Sequence, residues 1–126
     1  MRFALVCLGG AAGTGARYLL GGLLIRWLGA DFPYGTLLVN LIGSFLIGLV
    51  QHLALTALVV PEGLRVVLAV GVLGGFTTYS AFAYESLRLA ADGAWGAAVL
   101  YVGLTTMLCF GACLLGIAAG RLVAGG

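Results

Sequence analysis

Residues 71–82 read GVLGGFTTYSAF, and they lie inside an otherwise apolar segment. The stretch contains three glycines, two adjacent threonines and a serine. Glycine costs about 1 kcal/mol relative to alanine in a helix interior, and threonine is also a weak helix former. A membrane helix can break only where protein, water or an ion satisfies the freed backbone groups. The stretch therefore predicts a broken helix near the middle of a membrane span, with the break running from Gly74 to Thr78.

The composition of the whole chain indicates a membrane protein. Of its 126 residues, 63% are hydrophobic and 8% are charged, whereas about a quarter of the residues are charged in a soluble domain. The net charge of +2, without any lysine, is too small and dispersed for nucleic-acid binding. Three cysteines without a paired spacing argue against a disulfide framework or a metal site. We expect Cys7, Cys109 and Cys113 to be buried, small apolar residues.

Four segments are long enough to cross a bilayer, which takes about 20 mostly apolar residues. Short linkers separate them, so we expect an all-α membrane protein with a single four-span domain over residues 1–126. The first segment is long and contains Arg17, and we interpret it as a membrane helix rather than as part of a signal peptide. The predicted spans are residues 3–28, 34–60, 64–89 and 94–123.

The arginines on the two sides of the membrane are nearly balanced. Four spans put both termini on one side with Arg2, Arg65 and Arg121, and leave Arg26 and Arg88 on the other. Cytoplasmic loops usually carry a clear excess of Lys and Arg. Three against two leaves two interpretations open. The termini have a weak preference for the cytoplasm, or the chain inserts both ways and two opposed copies form a two-fold dimer.

Polar side chains recur at helical spacing in two of the spans. Residues at i, i+4 and i+8 share one face of a helix. In a membrane such a stripe either bonds neighbouring helices or lines a wetted pathway, and two stripes in one small bundle favour the pathway. The stripes are Thr36, Asn40 and Ser44 in the second span, and Tyr101, Thr105 and Cys109 in the fourth.

Two ionisable residues lie inside predicted spans, where a charge needs a partner or water. Arg17 could extend to the interface, cap the carbonyl groups of another helix, or attract an anion into a vestibule. Glu85 could pair with Arg17, or with Arg88 as an ordinary helical pair at i+3.

Two aromatic residues follow the predicted break on one helix face. The ring edges of Tyr79 and Phe82 carry partial positive charge, and with hydroxyl and amide donors they suit a small, hard anion. The absence of lysine fits a pathway that binds such an anion weakly. Alternatively, the two rings only pack.

Three motifs carry a resemblance to a known family. GGAAGTGARY (residues 9–18), GTLLVNLIGSFLIG (residues 35–48) and GGFTTYSAFAYE (residues 74–85) resemble, in order and spacing, the CrcB/Fluc fluoride channels. The resemblance covers all four spans. It implies a passive fluoride-selective channel, not an enzyme, that exports cytoplasmic fluoride across a prokaryotic inner membrane. It also implies an antiparallel, dual-topology homodimer with two pores.

The same resemblance implies the ion sites. A structural sodium ion at the dimer centre would be held by the backbone carbonyls of Gly74 and Thr77. The fluoride pathway would use the amide of Asn40, an aromatic box of Tyr79 and Phe82, and polar positions at Thr36, Ser80, Tyr101, Thr105 and, more weakly, Cys109. Arg17 would be the vestibule arginine and Glu85 the acidic residue after the box. The chain departs from the family pattern at Tyr79, usually phenylalanine, and at Ala81, usually threonine, and either change could slow fluoride or shift its path.

Other functions remain open on the residues alone. A proton-coupled exporter of the small multidrug-resistance type needs a carboxylate in its first span, and this chain has none there. A proton-coupled fluoride antiporter would have only Glu85 to carry the proton. A structural subunit would use the polar stripes for packing, and a heterodimer with a paralogous chain is also compatible. An enzyme has the least support, because the only histidine, His52, lies near the end of a span.

Overall fold

The computed structural model describes residues 1–56 and 60–125, and every regular element in that part of the chain is helical. Residues 57–59 and 126 lie outside the described residues, so the predicted end of the second span at residue 60 is followed only to residue 56. The elements are α1 (Arg2–Leu28), α2 (Tyr34–Leu55), α3 (Glu62–Val66), a π-helical turn (Val67–Val72), α4 (Leu73–Phe76), α5 (Tyr79–Ala91) and α6 (Trp95–Val123).

The described residues form four helical spans that are long and apolar enough to cross a membrane, which confirms the all-α, four-span prediction. They are Arg2–Leu28, Tyr34–Leu55, Glu62–Ala91 and Trp95–Val123, with mean hydropathy between 1.3 and 2.1. Only 11–28% of the most apolar stretch of each span is buried within the single chain. Most apolar side chains therefore face outward, as is expected where lipid or another membrane-embedded chain solvates them.

The third span has two irregularities. In the π-helical turn the N–H of Leu73 bonds to the carbonyl of Leu68, five residues earlier. The helix then ends at Phe76, because Thr77 (φ −86°, ψ 158°) and Thr78 (φ −151°, ψ 119°) are extended. The predicted break is confirmed, but it lies at the two threonines. Gly74 is still helical, so the expectation that the break begins there is wrong.

The glycines of the third span permit a close approach to α1. A Cβ atom on Gly75 would meet the backbone carbonyl of Gly10, and one on Gly13 would lie 2.9 Å from the amide nitrogen of Phe76 and nearer still to the carbonyl oxygen of Val72. Helices in lipid associate through close packing of this kind. The glycines therefore bring the two helix backbones together, and the adjoining threonines make the break.

The second close contact joins α2 to α6. A Cβ on Gly48 would meet the backbone of Cys113, and one on Gly116 would meet the backbone of Phe45. Gly13 near the start of the chain and Gly116 near its end therefore each lie at a close helix contact. Gly15 and Gly111 differ, because an added Cβ at either would have nothing within 4 Å.

Polar contacts at the helix ends show how the spans alternate. Arg2 lies 3.9 Å from Glu62, which places the start of the first span beside the start of the third. At the same end of the bundle, Arg65 donates to Gln51 of α2 over 3.3 Å. The Arg2–Glu62 pair is mostly exposed, and such pairs contribute about 0–1 kcal/mol, so packing and not charge holds the bundle together.

Candidate functional site

The helix break is joined to α2 by one side chain. The N–H of Thr78 donates to Oδ1 of Asn40 over 2.8 Å, and Nδ2 of Asn40 donates to the carbonyl of Thr78 over 3.0 Å. An extended residue exposes its N–H and C=O toward the same neighbour, so one carboxamide satisfies both groups. A carboxamide has two N–H hydrogens, and one of them remains after this pairing.

The two threonines use their hydroxyls to end one helix and begin the next. The Thr77 hydroxyl donates to the carbonyl of Leu73 over 3.0 Å. The Thr78 hydroxyl accepts from the N–H of Ala81 over 3.2 Å and caps α5. Ser80 is exposed, and its hydroxyl lies 3.4 Å from that of Thr78. Ser80 is therefore next to the break without being enclosed by it.

The carbonyl groups at the end of α4 are incompletely used. Among the described residues, the carbonyls of Gly74 and Thr77 accept no hydrogen bond outside the regular helices. The N–H groups four residues later, of Thr78 and Ala81, donate instead to Asn40 Oδ1 and to the Thr78 hydroxyl. The carbonyl of Gly75 receives only a long bond, 3.4 Å, from the hydroxyl of Thr14. The break thus leaves backbone oxygen atoms with free lone pairs in and just after α4.

Glu85 is bound by two hydroxyls. Thr36 of α2 donates to its Oε1 over 2.8 Å, and Tyr101 of α6 donates to its Oε2 over 2.9 Å. The hypothesis that Glu85 pairs with an arginine is therefore wrong. Both carboxylate oxygens are satisfied inside the bundle, whereas Arg88 is mostly exposed near the end of α5 and lies 3.9 Å from Asp92.

A chain of contacting aromatic rings begins next to the break. Tyr79 and Phe82 are 5.7 Å apart between centroids and meet edge to face at 78°. Phe82 meets Tyr101 at 5.2 Å and 73°, and Tyr101 meets Phe32 at 5.4 Å and 81°. Tyr79 and Phe82 lie together, as their spacing on one helix face predicts. The sequence does not predict the contact of Phe32, because its only signal is its place in the short linker before α2.

Two clefts flank the break, and Thr78 lines both of them. The first cleft has a volume of about 1090 Å³, and the second about 600 Å³. Arg17, Thr36, Glu85 and Arg88 line the first cleft. The second is lined by Asn40, Ser44, Gly74, Thr77, Tyr79, Phe82, Thr105, Cys109 and Cys113. Four residues of the two predicted polar stripes therefore share the second cleft, namely Asn40, Ser44, Thr105 and Cys109. Thr36 lines the first cleft, and the fully buried Tyr101 lines neither.

Two buried side-chain polar atoms have no hydrogen-bond partner within residues 1–56 and 60–125. They are Nε of Arg17, beside the first cleft, and the hydroxyl oxygen of Thr105, beside the second. Thr105 is only 5% exposed, and Tyr101 is fully buried one turn earlier. Because most buried polar groups are bonded, these two atoms mark places where water, an ion or another chain would bind.

Comparisons with known proteins match nearly the whole chain. The family model described as "CrcB-like protein, Camphor Resistance (CrcB)" matches residues 4–117. The protein named fluoride-specific ion channel FluC from Magnetococcus marinus is 47% identical over 98% of this chain and 100% of its own length. The proteins of the same name from Anaeromyxobacter dehalogenans and Thermus thermophilus are 48% and 50% identical. They cover 98% and 92% of this chain, and 98% and 86% of their own lengths.

Proposed function

Because the chain belongs to the CrcB-like family, we propose that it is a fluoride-selective channel that exports cytoplasmic fluoride by passive electrodiffusion and so reduces fluoride toxicity. The observation that carries the proposal is that relatives named as fluoride-specific ion channels match it over nearly its whole length. The family consists of ion channels and not enzymes, and the bacterial relatives support a multi-pass protein of a prokaryotic inner membrane.

The donors of the second cleft support selection of a small anion. Fluoride accepts hydrogen bonds, and a narrow path selects it when protein donors replace its water. The second N–H of Asn40 and the unpartnered hydroxyl of Thr105 are such donors, and both residues line this cleft. Tyr79 is 81% exposed, so much of its positive ring edge remains available beside them.

The first cleft poses a different problem for an anion. The hydroxyl of Thr36, which lines this cleft, already donates to Glu85, and so does the hydroxyl of Tyr101, which is fully buried and lines neither cleft. A fluoride ion can use these hydroxyls only when the carboxylate releases them, so in our proposal Glu85 moves during conduction. Arg17, whose Nε has no partner, lies in the same cleft and would attract the anion into it.

The proposed assembly is an antiparallel, dual-topology homodimer with two pores. The near balance of arginines supports it, since insertion in either orientation then has little cost. The Arg2–Glu62 contact supports the side assignment behind that count, because it joins the starts of the first and third spans. The outward-facing apolar surface of each span leaves ample area for a second copy.

A structural sodium ion would fit the end of α4. Carbonyl oxygens of unwound membrane helices coordinate sodium, and the carbonyls of Gly74 and Thr77 have no donor beyond the regular helices in the described part of the chain. When bound, the ion would supply positive charge that stabilises these carbonyls at the break. A two-fold dimer would double the number of carbonyl ligands.

The test of function is fluoride efflux from liposomes that contain the purified protein, followed with a fluoride electrode. We expect fast, electrogenic efflux of fluoride and none of chloride, and protein-free liposomes serve as the control. No efflux from well-folded protein would refute the channel. Uphill fluoride movement driven by a pH gradient would instead indicate a proton-coupled antiporter.

Topology has a separate test. Single cysteines are placed in one of two loop sets, either the linkers after α1 and α5 or the linker between α2 and α3, in a variant that lacks the native cysteines. They are then labelled from outside the cell. We expect both loop sets to be labelled when the chain inserts in both orientations. Labelling confined to one set would exclude dual insertion, and would then favour a heterodimer with a chain of opposite bias.

A further inference from the structure

Two of the three cysteines face the same cleft. Cys109 and Cys113 are four residues apart on α6, both line the second cleft, and both are free and partly accessible. Cys7 on α1 is exposed and lies outside the residues that line this cleft. The expectation that all three are buried is therefore wrong, and two of them form a pair of thiols beside the break.

The spacing of the pair suits one bound ion. Side chains at i and i+4 on a helix are neighbours, with Cβ atoms about 5–6 Å apart. Thiolates prefer soft cations such as Cu(I). Residues 1–56 and 60–125 contain no group of three or more His, Cys, Asp or Glu side chains placed to hold a metal. The pair thus suits cations that need only two ligands, and not tetrahedral zinc.

The cleft also has a place for an occupant. Thr105 lies one turn before Cys109, is 5% exposed, and its hydroxyl has no partner although it lines the same cleft. A ligand-sized volume of about 600 Å³ surrounds these side chains. An ion bound to the two sulfur atoms would lie beside the hydroxyl that we assign to the anion path.

We propose that Cys109 and Cys113 form a two-thiolate site for a soft, linearly coordinated cation, of the class of Cu(I) and Hg(II), and that the bound ion blocks conduction. The block rests on the proposed channel function, whereas the binding does not. With Hg(II) as the probe, two thiols lose two protons as two Hg–S bonds form, and no electron is transferred. The site would make conduction sensitive to thiophilic metals, and dithiol chelators would reverse the block.

The test uses the full-length protein with Cys7→Ser, which removes the exposed thiol and keeps the pair. Mercuric ion is titrated while the ultraviolet absorbance of the Hg–S bond, the proton release and the remaining free thiols are recorded. We expect one ion per chain, two protons released per ion and loss of both free thiols together. Cys109→Ser and Cys113→Ser, each in the Cys7→Ser protein, should lose the two-thiolate absorbance and bind through one sulfur only.

The flux arm uses the same variants in liposomes. We expect mercuric ion to abolish fluoride efflux in the Cys7→Ser protein and dithiothreitol to restore it. Cys113→Ser in the same background should need a higher concentration of mercuric ion for the same block, with each variant compared with its own efflux before mercuric ion is added. Binding of two separate ions per chain, one per thiol, would overturn the site. Two-thiolate binding with undiminished efflux would overturn the block. A protein that never conducts fluoride would refute the channel itself, and the absorbance titration would still decide the site.

Discussion

Replacing Asn40 with alanine tests the pairing at the helix break. The change removes the bond from Thr78 N–H to Oδ1, at 2.8 Å, and the bond from Nδ2 to the Thr78 carbonyl, at 3.0 Å. It leaves the glycine contacts between α1 and the third span intact, because these lie before the break. We therefore expect the bundle to fold and the break to become mobile.

The magnitude follows from the surroundings of the two freed groups. Interhelical hydrogen bonds in membrane proteins contribute about 0.6 kcal/mol on average, and those in soluble proteins about 1 kcal/mol. Two bonds are thus worth about 1–2 kcal/mol. A dry, unpaired group would add about 1–3 kcal/mol, but Thr78 lines both clefts, so water can reach it and the lower figure applies. A loss of 1–2 kcal/mol changes a population by about 5–30-fold.

Hydrogen exchange and flux measure this effect together. The Thr78 amide of Asn40→Ala should exchange about 5–30-fold faster than in the unchanged protein, and fluoride efflux should fall at least as far. Ser44→Ala is the matched control, because Ser44 lies one turn away on α2 and lines the same second cleft. Unchanged exchange at Thr78 would refute the reasoning. Lost efflux with unchanged exchange would assign Asn40 to the anion path alone.

Three further substitutions test other contacts, each by thermal unfolding or exchange of the purified protein and by fluoride efflux. Gly13→Ala would place a methyl group against the backbone of the π-helical turn and should cost about 1–3 kcal/mol; Gly15→Ala, with open space around it, should cost nothing, and equal stability of the two would contradict the packing. Tyr101→Phe removes the 2.9 Å bond to Glu85 and should cost about 0.5–1.5 kcal/mol; a variant with unchanged stability and efflux would show that this bond is dispensable. Thr78→Val removes the cap of α5 at a cost of about 1 kcal/mol and should speed amide exchange in the first turn of that helix; exchange that speeds equally in α6 would instead indicate global destabilisation.

The features that the sequence predicted correctly are local ones. Four apolar spans and a break beside paired threonines follow from composition and helix propensity over short windows. The partners of Glu85 could not be found in this way. Thr36 and Tyr101 are 49 and 16 residues away in sequence, and helical spacing reveals only neighbours on the same helix.

The prediction that the break begins at Gly74 is wrong for a related reason. A glycine lowers helix stability in any sequence context, so local propensity predicts that the break includes Gly74 and Gly75. The structure uses Gly75 for an approach to Gly10 of α1, a contact that depends on how the helices cross. The π-helical turn contacts α1 in the same region, since Gly71 within it faces Val6 of α1. Crossing geometry of this kind is a property of two helices and not of either sequence segment.

Asn40 explains why an amide, and not a hydroxyl or a carboxylate, is required at the break. The Thr78 pairing needs one acceptor and one donor on the same planar group, which a carboxylate cannot offer because it only accepts. A hydroxyl has a single hydrogen, so it could bond the carbonyl but would have nothing left for an anion. An amide satisfies both backbone groups and retains one N–H in the second cleft. In the proposed channel, the side chain that stabilises the break can therefore also donate to a passing anion.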